Sequence, residues 1–136
     1  MTELQRIVAD RLRAEHGEVV SAIDRAADHV ADTWPADCVS DRQAVVPPMR
    51  AVLTSSGVLA RLPTVLVDLV DYAGYDLPAD PVAAPPYVVI TSRGPLLRAT
   101  LPPGRLLVRF DTFEIHKDRN AGYQRTNGVS IDVRLV

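Results

Sequence analysis

The sequence predicts an α+β fold in which an N-terminal half of three to four helices packs on one face of a C-terminal four-stranded antiparallel β-meander. Three observations lead there. Apolar residues recur with a helical period over the first 34 positions. From Tyr87 onward, β-branched and aromatic runs are broken by Gly and Pro at turn spacing. Between the two regions lies a stretch, 76–86, that carries Pro78, Pro81, Pro85 and Pro86 and is too short to hold separate domains apart. A sheet with one apolar face needs a cover, and the upstream helices supply it. A chain of 136 residues is long enough for one core, so one domain, 1–136, is expected. Its parts are a helical region at 1–75, a crossing at 76–86 and the meander at 87–136.

Glu3 to Trp34 reads as one long amphipathic helix, or two joined at Gly17, ended by Pro35. Leu4, Val8, Leu12, Val19, Ile23, Ala27, Val30 and Trp34 share one broad face. Asp10, Asp24, Asp28 and Asp32 lie opposite and read as a solvated side, and His16, in the apolar face, reads as a satisfied boundary histidine. Pro35 to Val46 is a connector. Pro47-Pro48 fits a helix start, the helix running from Met49 to Ser56 or Leu62, with its end left open by Gly57. Pro63 is expected to start the next helix, Thr64 to Ala73, with Gly74 as its C-cap. That helix is apolar around most of its circumference, leaving Thr64, Asp68 and Asp71 as a narrow polar strip.

In the meander, Tyr87 to Ser92 is a strand, Arg93-Gly94-Pro95 a turn, Leu96 to Leu101 a second strand and Pro102-Pro103-Gly104 a type II turn. Arg105 to Ile115 makes a third strand whose alternation slips near Asp111 and Thr112, which calls for a β-bulge there. The segment 116–128 reads as a long polar loop, and Val129 to Leu135 as a strictly alternating fourth strand.

Composition narrows function more than it names it. Hydrophobic residues make up 47% of the chain, yet none of the apolar runs approaches the roughly 18 residues of a membrane span. The first residues lack the pattern of a secretory signal, so a cytoplasmic location and no membrane partner are expected. Cys38, the single cysteine, can form neither an internal disulfide nor a zinc site. The chain has no Gly-rich phosphate loop, HExxH, CxxC, GxSxG or EF-hand pattern. No catalytic residue, metal or cofactor is therefore expected, and an enzyme is the less favoured class. Ser55-Ser56-Gly57 beside Arg50 and Arg61 reads as a helix break rather than an anion cradle.

Charge is distributed unevenly. Up to Ala84, seven arginines stand against thirteen acids, a balance of −6; beyond it, eight basic residues stand against four acids, a balance of +4. The candidate contact residues sit in that basic half: Arg93, Arg98, Arg105 and Arg109 on the sheet, and Lys117, Arg119, Tyr123 and Arg125 in the polar segment. The favoured reading is a small non-catalytic protein-interaction module with a protein partner or self-association. The alternative is a nucleic-acid-binding protein that pairs phosphates with these arginines and stacks bases on tyrosine. A second alternative is a small-ligand site between helices and sheet. A nucleic-acid face requires Arg98, Arg105 and Arg109 to stand side by side without carboxylate partners; pairing with Asp111, Glu114 or Asp132 counts against it.

Overall fold

A computed structural model describes residues 2–117 and 122–136. Helices α1 (Glu3–Glu15), α2 (Gly17–Asp32), α3 (Val46–Ser55) and α4 (Val58–Tyr72) precede the crossing, with a two-residue strand, β1 (Cys38–Val39), in the connector. Strands β2 (Val88–Ile90), β3 (Pro95–Leu101), β4 (Gly104–His116) and β5 (Gly122–Leu135) follow. The sheet is antiparallel in the order β1-β5-β4-β3-β2, so the expected meander is present and β1 adds a fifth strand at its edge.

The first helical region is two helices. His16 closes α1 by donating its backbone N–H to Leu12 O at 2.9 Å, and Gly17 opens α2. Thr2 caps α1 with a capping box: its hydroxyl accepts from Gln5 N at 3.2 Å, while Gln5 Oε1 accepts from Thr2 N at 2.7 Å. Gln5 Nε2 also donates to Val133 O at 3.1 Å, which ties the start of the helical layer to the last strand and occupies one carbonyl of that strand.

The expectation that Pro63 starts a helix is corrected. Gly57, at φ +82°, reverses the chain after α3, and α4 begins at Val58 and runs through Pro63. The segment Arg42–Ser55 and α4 are bent 84° from one another at this break. An internal proline removes one helix hydrogen bond and costs about 3 kcal/mol. Burial of Val58 and Leu62 in the turn before Pro63 offsets that cost, since a fully buried Val or Leu contributes roughly 1.5–3 kcal/mol. Gly74 ends α4 as expected: at φ +91° it lets Tyr75 N donate to Val70 O and Gly74 N to Asp71 O, a Schellman motif.

All four helices lie on one face of the sheet, with α1 and α2 against β5, α2 also against β4, α4 against β3 and α3 against β2. Leu97, Leu106, Val108, Phe110 and Phe113 from the sheet meet Leu12, Ile23, Met49, Leu53, Leu62, Leu66 and Leu69 from the helices in one buried cluster. Trp34 packs on Phe113 with ring centroids 5.6 Å apart and donates its indole N–H to Ala44 O at 2.9 Å. Among the described residues, no single helix is long and apolar enough to cross a membrane.

The bulge falls where the sequence places it. Register between β4 and β5 shifts between Asp111 and Phe113, returning Phe113 to the core and leaving Thr112 fully buried. The bulge also holds the β2–β3 turn. Thr112 N, Phe113 N and the Thr112 hydroxyl all donate to Arg93 O, at 2.7, 3.1 and 3.1 Å. Gly94 is pressed so close to β4 that a Cβ there would lie 1.9 Å from Phe110 O.

Of the long loop expected at 116–128, residues 122–128 are strand and 118–121 lie outside the described residues. β5 begins at Gly122, and Gly122, Tyr123, Gln124 and Arg125 pair with His116, Ile115, Glu114 and Phe113 of β4. Alternation of apolar residues fails in this stretch because one of the side chains turned toward the helices is Arg125, whose charge is met by acids of α2.

Candidate interaction face

β3 and β4 up to Phe110 alternate in burial, so Leu97, Ala99, Leu106 and Val108 meet the helices while their neighbours point the other way. No helix covers that second face among the described residues. Cross-strand register sets Leu96 beside Arg109 and Arg109 beside Asp132, then Arg98 beside Leu107 and Leu107 beside Arg134, with Thr100 beside Arg105. The result is an apolar floor of Leu96 and Leu107, both half-buried, crossed by arginines.

One depression of about 300 Å³ opens on this face, and a second of the same size lies at the β3 edge. One is lined by Leu96, Leu107 and Ile115 with Thr91, Ser92, Arg93, Arg109, Asp132 and Arg134. The other lies between the crossing segment and β3, lined by Leu77, Pro78, Pro86 and Tyr87 with Arg98, Ala99 and Thr100. Arg98, in the lining of the second, pairs across the strands with Leu107 of the first.

The eight residues singled out by sequence separate into distinct environments. Arg109 is neutralised: its Nε donates to Asp111 Oδ1 at 2.5 Å and its Nη2 lies 3.2 Å from Asp132 Oδ2. Arg98 and Arg105 have no carboxylate partner among the described residues, Arg98 half-buried and Arg105 exposed. One of the three arginines is therefore paired and two are free. Arg93 borders the first depression from the β2–β3 turn, and Lys117 is exposed beyond the end of β4. Arg119 lies outside the described residues.

Tyr123 and Arg125 take part in the packing of the fold. Tyr123 is half-buried, packed against the core, and pairs with Val39 of β1. Arg125 is only 14% exposed and faces α2. Its guanidinium pairs with Asp24 and, at 3.2 Å, with Asp28. It also donates to the carbonyls of Thr112 at 3.1 Å, Thr126 at 3.0 Å, Gly128 at 3.1 Å and Asp24 at 3.1 Å. A planar fork with five donors suits this convergence of acceptors. Asp24 and Asp28, read from sequence as part of a solvated acidic side, are thus in part the counter-charge of a strand residue.

Arg134 is the member of the face that sequence reasoning missed. It is 61% exposed and donates to Asp132 Oδ2 at 3.0 Å. Its place in a strictly alternating strand opposite Leu107 was the available signal.

A second polar cluster joins α1 to α4. Arg11 donates to both oxygens of Asp68 at 3.0 Å, and His16 Nε2 lies 2.6 Å from Asp68 Oδ2. The Arg11 hydrogen bonds, helped by His16 and opposed by burial, hold the Asp68 carboxyl down to about 2. Arg11 also lies 4.5 Å above the Tyr72 ring, and its own pKa is raised by the bond to Asp68. His16 is the satisfied boundary histidine that the sequence suggests, its Nε2 held against Asp68 of α4. Among the described residues, no group of three or more His, Cys, Asp or Glu is arranged to hold a metal ion.

A family model described as Domain of unknown function (DUF7988) matches residues 6–136. No curated protein and no solved structure matches the chain.

Proposed function

The chain belongs to the DUF7988 family, and from the surface it presents we propose that it is a non-catalytic protein-interaction module that binds through the open face of its sheet. The observation that carries this reading is an uncovered sheet face with an aliphatic floor at Leu96 and Leu107 that lines a depression of about 300 Å³. Half-buried aliphatic side chains on an open face are of little use to a solvated surface and gain from a partner's apolar side chains. A cytoplasmic setting, in keeping with the free thiol of Cys38, is part of the same proposal.

Nucleic-acid binding is the second reading, supported by the free Arg98 and Arg105. It is weaker because Tyr123 is packed into the fold and Arg109 is already neutralised, which leaves Tyr87 as the aromatic residue bordering the face. The test compares capture of proteins from an extract of the source cells by the wild type and by Leu96→Asp with Leu107→Asp. A parallel salt series measures fluorescence anisotropy of labelled single-stranded and duplex DNA and RNA. The proposal expects specific capture that the double variant loses while keeping its melting temperature, and no nucleic-acid binding. Capture indifferent to the substitutions, or salt-sensitive nucleic-acid binding that Arg98→Ala with Arg105→Ala abolishes, overturns it.

A further inference from the structure

We infer that the occupant of the open face is an acidic segment of a partner protein, bearing two apolar anchor side chains with carboxylates beside them. This rests on the reading of that face as a protein-binding surface and adds the chemistry of what binds. Charge complementarity is the first ground. The two aspartates of the face, Asp111 and Asp132, are both engaged by arginine, whereas Arg93, Arg98 and Arg105 have no carboxylate partner among the described residues. The face therefore carries a positive surplus that only an anionic partner offsets.

Shape is the second ground. One depression reaches β3 at Leu96, and the other at Thr100 with Arg98 in its lining, beside Leu107 of the first. Thr100, on the same face as Leu96, lies four residues along the strand, about 13 Å at the usual rise. An extended segment covers that distance with anchors about four residues apart. A carboxylate between or beside those anchors lies over Arg98, and flanking ones reach Arg93 and Arg105.

A second copy of this chain fits less well. Stacking two such faces sets surplus arginine against surplus arginine, which is repulsive. Docking the face onto the acidic side of α2 in another copy meets Asp24 and Asp28, which Arg125 already engages. Nucleic acid supplies anions but not the aliphatic anchors that Leu96 and Leu107 are placed to receive.

The experiment places the photo-crosslinking residue p-benzoylphenylalanine at Thr100, exposed at the rim of the second depression, in the full chain expressed in its own cells. The crosslinked peptide is then sequenced by mass spectrometry. The expected result is a peptide of another protein that contains apolar residues about four apart with adjacent Asp or Glu. Its yield should fall about tenfold or more in Arg98→Glu with Arg105→Glu and return when the partner's acids are changed to Lys. Thermal melting of the charge-reversed chain checks that it is folded. A protein crosslink through a segment without acids, one indifferent to charge reversal, or one to α1 or α2 of a second copy overturns the acidic partner while leaving protein interaction standing. Crosslinking to nucleic acid alone, or to nothing, overturns both.

Discussion

Replacing Arg125 by alanine should be among the most destabilising changes available outside the apolar core. The guanidinium satisfies four backbone carbonyls and meets two carboxylates from inside the fold. The carboxylates recover much of their solvation on their own, since Asp24 is 40% and Asp28 63% exposed. The carbonyls do not all share that escape: Thr112 is fully buried, and losing the partner of a buried acceptor costs roughly 1–3 kcal/mol. Adding about 0.5–1 kcal/mol for each of the three half-buried carbonyls gives a loss of about 2.5–6 kcal/mol, centred on about 4 kcal/mol. In urea denaturation this should appear as a lower midpoint at unchanged slope, and in a thermal melt as a fall of about 10–15 °C. Arg125→Lys should recover less than half, because an ammonium cannot reach the acceptors as a planar fork does. Arg98→Ala and Arg105→Ala should each change stability by no more than about 0.5 kcal/mol. If Arg125→Ala loses less than about 1 kcal/mol, the residue is not the tie between α2 and β5, and its assignment to the ligand-free interior of the fold is wrong.

The other predictions concern the turn, the helix junction and the α1–α4 cluster. Gly94→Ala should destabilise by about 3 kcal/mol or more, since its Cβ would collide with Phe110 O at φ +143°, whereas Gly17→Ala, with nothing within 4 Å, should stabilise by up to about 1 kcal/mol; a denaturation midpoint for each decides. Thr112→Val keeps the shape but loses the hydroxyl bond to Arg93 O, and should cost about 1–2 kcal/mol by the same measurement. Because the Asp68 carboxyl is held to about 2 in the folded chain, below its ordinary value of 3.8, its contribution is present above pH 4 and is lost as the pH falls toward 2. Wild type should therefore exceed Asp68→Asn by about 1 kcal/mol at pH 6, after solvent screening of a side chain 29% exposed, and the gap should close by pH 2; a constant gap across that range contradicts the assignment.

The register slip at Asp111 and Thr112 was legible because two apolar residues, Phe113 and Ile115, stand out of phase with Leu106, Val108 and Phe110, and a bulge is the local remedy. The helix break at Gly17 and the cap at Gly74 were legible for the same reason: glycine and apolar period act within a few residues of themselves. The candidate face was half legible, since Arg98 and Arg105 have no carboxylate partner among the described residues, while Arg109 is claimed by Asp111 two residues along its own strand and by Asp132 across the sheet.

What the sequence by itself determined is the order of elements, the side of each strand that is apolar, and the asymmetry of charge between the helical and sheet halves, all consequences of short-range pattern and composition. What only the tertiary structure decided is which polar residues are spent inside. Pro63 sits within α4 because buried side chains on the preceding turn outweigh one missing hydrogen bond. Arg125 and Tyr123 belong to a strand rather than a loop because acids on α2, about a hundred residues earlier, and the β1 edge supply their partners. A charge is satisfied by whatever lies within a few ångströms of it, and that neighbourhood is set by how distant segments pack, not by the residues beside it in the chain.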